Sequence, residues 1–227
     1  HADVAGMMVG GAAALLWQML HPKALAGVWD HSDFRRNMHG RLRNTARFIA
    51  VTTYGARDEA EVAIARVRRI HDHVNGTLPD GTPYDANDPR LLAFVHLAGS
   101  AMFLAGYRRF VEPGMSRSDR DTYWREVAVI GEKLGASPVP RSEREAEAQG
   151  RDFLLELRAD ERSRTVRDII LNAPPERLRL LPLQKLLMRS ADVRRLHGLR
   201  SSGLAQPGVA AATFGLASTL RWALKPA

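Results

Sequence analysis

The chain has 227 residues, 45% of them hydrophobic and 26% charged, an ordinary composition for a globular protein. It contains no cysteine, which excludes disulfides, thiolate metal sites and a cysteine nucleophile and leaves any metal to histidine or oxygen ligands. The formal net charge is +8, but the basic residues are spread along the chain with no stacking-aromatic pattern, so they read as solvated helix faces and no nucleic-acid partner is expected.

Asp3 to Leu20 reads as a first helix, rich in apolar and small residues, with Gly6, Gly10 and Gly11 open to close approach by another helix or a flat ligand. At about 17 residues its apolar run sits at the lower limit for a membrane span. It is interrupted by Gln18, ended by His21-Pro22 and lacks a signal-peptide pattern. A buried helix in a cytoplasmic protein, without membrane contact, is the expectation. Pro22 suits the first turn of a short second helix.

A third helix covers about Met38 to Tyr54 and ends at Gly55. Arg41 and Thr45 are one turn apart on it and share a face with Phe48, Ile49 and Thr52. An arginine and a threonine heading an apolar face is unusual, and the plain reading is that Arg41 snorkels outward and Thr45 bonds to its own backbone.

The fourth helix is read over Asp58 to Gly76, with Asp58 as the cap and Gly76 as the stop. Ala60, Ile64, Val67, His71 and Val74 recur at helical spacing on one face, whereas His73 points away. An imidazole on that apolar row needs a carbonyl, a carboxylate or a metal as partner. After turn signals in TLPDGTPYDANDP, a fifth helix starts near Asp88 with Pro89 in its first turn and runs to about Val111. It is apolar nearly all round and holds His96, a second interior imidazole.

Ser118 is the cap expected for a sixth helix ending at Gly135, and Ser142 with Glu145 makes a capping box for a seventh. Ser163 to Arg200 reads as two or three helices broken at Pro174-Pro175, Pro182 and Gly198. A last apolar helix follows Gln206-Pro207-Gly208 and carries Trp222. No β alternation of useful length occurs. The chain reads as all-α, one domain over residues 1–227, a helical bundle of about eight to ten helices.

No P-loop, GxGxxG after a strand, HExxH or GxSxG is present. The histidines are the distinctive resource, and a helical bundle with one inward histidine is a common way to hold haem. The ordered segments HPKALAGVWDHSDF, RLRNT, HDHVNGTLPDGTPYDANDP and LLAFVHLAG resemble a family of helical haem oxygenases. That family includes the latex-clearing rubber oxygenases and the fungal oxygenase of the mycophenolic acid pathway. The resemblance runs from about Gly10 to Gly135. It implies a bundle enclosing one haem b, with His71 of the H-x-x-V-x-G element as axial iron ligand. It places Arg41 and Thr45 as catalytic or supporting pocket residues, and His21 and His96 as pocket residues without an assigned role. O2 and an apolar small molecule are the implied partners. Where rubber-cleaving members carry a lysine before the motif threonine this chain has Asn44, and no glutamate lies between His21 and Asp33, so rubber cleavage is not expected. Two other readings share these residues: a non-catalytic haem carrier or sensor, and a cofactor-free helical module. A non-haem metal site using His21, His71 or His96 lacks a carboxylate on the same face.

Overall fold

The computed structural model describes residues 3–171. Among them are eight α-helices and one two-stranded sheet, so the chain is mostly α as its pattern predicts. The helices expected beyond residue 171, with Trp222, lie outside the described residues. Cα proximity divides the chain into two compact units.

Of the described residues, the first unit takes in 3–20, Ala98–Arg120 and 158–171. Helix α1, Val4–Gln18, is capped by Asp3, whose Oδ1 accepts the Gly6 N–H at 2.7 Å. Small residues then let its backbone meet the second half of α5, Pro89–Phe110. A Cβ at Gly106 would lie 2.5 Å from the Gly6 carbonyl oxygen, and one at Gly10 would lie 2.8 Å from that of Met102. Glycine is required at this seam because backbone cannot yield as a side-chain end does. Helix α8, Glu161–Leu171, packs on α1. Its first turn is closed reciprocally: Asp160 N–H donates to Ser163 Oγ at 2.8 Å and Ser163 N–H to Asp160 Oδ1 at 2.7 Å. That leaves Val166 and Ile170, four apart, buried on one stripe.

The second unit comprises His21–Leu97 and Asp121–Leu157. Helices α2 (Pro22–His31), α3 (Met38–Tyr54) and α4 (Arg57–His71) follow in order, and α3 packs on α4. The core is aromatic: Phe34, Phe94 and Phe153 are fully buried, with the Phe94 and Phe153 rings edge to face at 5.2 Å. Helix α6 spans Arg117–Leu134 and α7 Glu143–Phe153, the latter followed by a 3₁₀ turn, Leu154–Glu156. Ser142 caps α7 as expected, accepting Glu145 N–H at 3.3 Å. At the start of α6, Ser116 rather than Ser118 meets the Asp119 N–H, at 3.1 Å.

Two features of the α4 region depart from the expectation. Its first amide is satisfied by Glu59, which accepts the Ala56 N–H at 3.1 Å, so Asp58 is not the cap. A glutamate inside the first turn is long enough to reach back. The helix also ends at His71, not Gly76, because the next residues pair into a sheet: β1 (Asn75–Thr77) runs antiparallel to β2 (Pro83–Asp85), with Gly76 opposite Tyr84. Gly76 is needed there for contact, since a Cβ would lie 2.7 Å from the Tyr84 hydroxyl oxygen. Tyr84 is buried beside Ala26 and Leu78 and donates its O–H to Asp30 Oδ2 at 2.9 Å. His31 Nε2 reaches the Asn75 carbonyl at 3.0 Å. The hairpin is therefore docked on α2. Its base is closed by Ala86 N–H to Val74 O at 2.9 Å and Asn87 Nδ2 to Asp72 Oδ1 at 2.8 Å.

Candidate functional site

All five residues singled out in the sequence, His21, Arg41, Thr45, His71 and His96, fall in the second unit. The inward stripe of α4 is as the spacing predicts: Ile64 is buried, Ala60, Val67 and His71 are half-buried, and His73 is exposed. His71 is the last residue of that helix, and its Nδ1 is buried without a hydrogen-bond partner among the described residues. Burial pushes its pKa below the ordinary histidine value, against the smaller opposing pull of Asp72 and Asp85. The neutral ring is thereby favoured, which is the form that ligates a metal.

Arg41 is half-buried on α3, and desolvation lowers its pKa. Among the described residues no carboxylate pairs with it. A desolvated guanidinium lacking a counter-ion is an anion-binding group in waiting, because its five donors match a carboxylate fork. Thr45 is exposed, and its hydroxyl donates to the Arg41 carbonyl at 3.1 Å. This is the intrahelical bond that a threonine makes when it bends back on the preceding turn.

His96 packs on α6. A Cβ at Gly131 would lie 2.9 Å from His96 Cδ2 and 3.0 Å from both Cγ and Nε2, so the glycine lies over the ring. Its Nε2 is buried with no hydrogen-bond partner among the described residues. Burial pushes the pKa down to about 4, with Glu132 opposing.

His21 is 4% exposed and precedes the first turn of α2. Its Nε2 lies 3.2 Å from Glu156 Oε2, and its ring is tilted at 37° to Phe94 with centroids 4.9 Å apart. Glu156 Oε1 accepts from Arg90, from Nε at 2.9 Å and also from the terminal guanidinium nitrogen. The Arg90 guanidinium stands 4.7 Å above the Phe153 ring. Nδ1 of His21 is buried and has no hydrogen-bond partner among the described residues. Desolvation lowers this histidine's pKa, and the contact with Glu156 works in the other direction.

Among the described residues no imidazole of the three bonds to another, and no cluster of three His, Asp or Glu forms a conventional metal cage. Haem asks only one protein ligand of its iron. Gly27 of α2 touches Val74, one turn beyond His71, with a Cβ there 3.2 Å from Val74 Cγ1. Glu156 is the residue that sequence reasoning missed. It lies 135 positions from His21, and no local pattern announces a pairing at that range.

Neither the curated proteins nor the solved structures return a match to this chain. One family model does match, over residues 1–225, and its description is the catalytic domain of ER-bound oxygenase mpaB/B′ and rubber oxygenase. The matched span takes in both units and every residue discussed above, and the chain therefore belongs to this oxygenase family.

Proposed function

We propose that this protein is a haem b-dependent oxygenase acting with O2 on an apolar small molecule, with His71 as the axial iron ligand. The observation that carries the reading is the pairing of two unsatisfied groups in one unit. His71 offers a buried imidazole biased to its neutral form, and Arg41 offers a desolvated cation with no carboxylate among the described residues. Both fit a group that brings a metal and carboxylates of its own. When bound, haem b supplies an iron centre able to activate dioxygen.

The chain's own tasks follow from its residues. His71 holds the group from the end of a helix that is anchored to α6 by Lys133 with Glu61, 2.5 Å apart, and by Arg68 to the Lys133 carbonyl at 3.2 Å. Arg41 takes a propionate through paired N–H donors, and Thr45 steadies its turn of α3 through the bond to the Arg41 carbonyl. The apolar faces of the helices hold the substrate and exclude water. His96 lines the pocket, held flat by Gly131.

The test is an absorption spectrum of the protein as isolated, reduced and with carbon monoxide. A Soret band is expected, and His71→Ala is expected to lose it. Full haem occupancy in that variant would overturn the ligand assignment. Oxygen uptake above that of free haem, across hydrophobic alkenes and aromatics, separates the oxygenase from a carrier.

A further inference from the structure

We infer that His21, Glu156 and Arg90 form a proton-accepting relay, buried at His21 and open to solvent at Arg90, whose working atom is His21 Nδ1, and that the substrate presents an O–H donor to it. This deepens the oxygenase reading and rests on it only for the use to which the base is put. The argument starts at Glu156. A carboxylate clasped by Arg90 accepts hydrogen bonds and offers none, so the His21 nitrogen facing it at 3.2 Å carries the hydrogen. A neutral imidazole has one N–H, so Nδ1 is left with its lone pair. That lone pair is buried, meets no donor among the described residues and does not cap α2, although His21 stands at the capping position.

A buried acceptor without a donor costs stability, and such groups concentrate where a ligand supplies the missing partner. Burial biases His21 towards the neutral, accepting form. The charged groups around it are Glu156, the Lys23–Asp88 pair at 3.8 Å, and Arg90 behind Glu156. Arg90 is itself held over Phe153, so the carboxylate is braced. The step balances simply. A proton leaves the ligand O–H, whose bonding pair stays on oxygen, and adds to the Nδ1 lone pair. The imidazolium so formed donates to Glu156 through Nε2, and the proton returns by the reverse path. The substrate class this selects is an apolar molecule with a hydroxyl at one point, rather than a pure hydrocarbon. His21 is the group that touches the ligand, while Glu156 and Arg90 are positioning residues.

The experiment is 15N NMR of histidine-labelled protein as purified, brought to the diamagnetic ferrous carbon-monoxide form where haem is present. The expected signature is His21 as the Nε2–H tautomer. Glu156→Gln, which keeps an acceptor in place, should retain it, and Glu156→Leu should release it. Phenol should move the Nδ1 resonance and bind at least about fivefold tighter than anisole, the loss expected for one unmet buried hydrogen bond. That preference should vanish in His21→Phe, with circular dichroism confirming the fold. An Nδ1–H tautomer in the wild type, or equal behaviour of the two probes, absence of binding included, would overturn the relay. A protein that shows the tautomer and the phenol preference but no Soret band would sink the oxygenase reading and leave the relay standing. A haem-loaded protein with an Nδ1–H tautomer would do the reverse.

Discussion

The α1–α5 seam and the α3–α4 pair are built on opposite rules. At the seam, glycines bring backbone to backbone, and a single added methyl at Gly106 has nowhere to go. On α3, Leu42 is 40% exposed, Thr45 is exposed, and Arg41 is desolvated without a carboxylate among the described residues. On α4 and the helices around it, imidazole nitrogens are buried with no hydrogen-bond partner among the described residues. The seam is closed by the chain's own backbone, whereas in the proposed function a bound haem completes the α3–α4 region. The physical ground of the contrast is that unmet polar groups cost folding free energy unless a ligand meets them.

The largest expected effect breaks the seam. Gly106→Ala should cost about 3 kcal/mol, since the contact is with backbone and both helices must shift. Gly114→Ala, with nothing within 4 Å, should stay within about 0.5 kcal/mol. Urea denaturation of the two variants measures the contrast, and similar losses would erase it.

The next effect is on pH. His96 is held neutral down to about pH 4, whereas in the unfolded chain it titrates near its ordinary value of 6.5. Between those values the unfolded state binds the extra proton, so its share of stability is intact above about 6.5 and is lost as pH falls towards 4. At pH 5 the loss amounts to about 2 kcal/mol relative to pH 8. His96→Leu should flatten that slope in thermal melts, and an unchanged slope would show that the ring is not sealed in.

The smallest effect has the opposite sign. Arg41→Met removes a desolvated cation with no ion-pair partner among the described residues, so the haem-free protein should gain up to about 1 kcal/mol while haem affinity falls. Melting curves with and without added haem read both halves. Loss of stability in the haem-free state would mean that Arg41 is satisfied within the fold.

Much of this was legible in the residues. The Ala60, Ile64, Val67, His71 stripe faces inward as spaced, and α3 runs over Met38–Tyr54 as bounded by Gly55, because helical period and a stop residue are local signals. The β1–β2 hairpin was not legible: three-residue strands are too short to show alternation, and its Pro-Asp-Gly tip reads as a plain turn. The pairing of His21 with Glu156 was equally hidden, since only the folded chain brings a histidine and a carboxylate of such separation together. Arg41 was readable as an oddity on an apolar face, but its lack of a counter-ion among the described residues was not. Thr45 shows the limit of periodicity, which set it on a shared face while the structure leaves it exposed.

The hairpin after His71 also has a practical use. Its neck is cinched at Val74–Ala86 and Asp72–Asn87, whereas its tip at Pro79, Asp80 and Gly81 stands in solvent and Gly81 has φ +85°. Loop closure grows dearer only slowly with length, so extra residues at such a tip disturb little beyond it. A spin label or an affinity handle spliced there would ride on a short stiff stalk tied back to the residue after His71. It would report on the end of α4 from a loop that carries none of the proposed site residues.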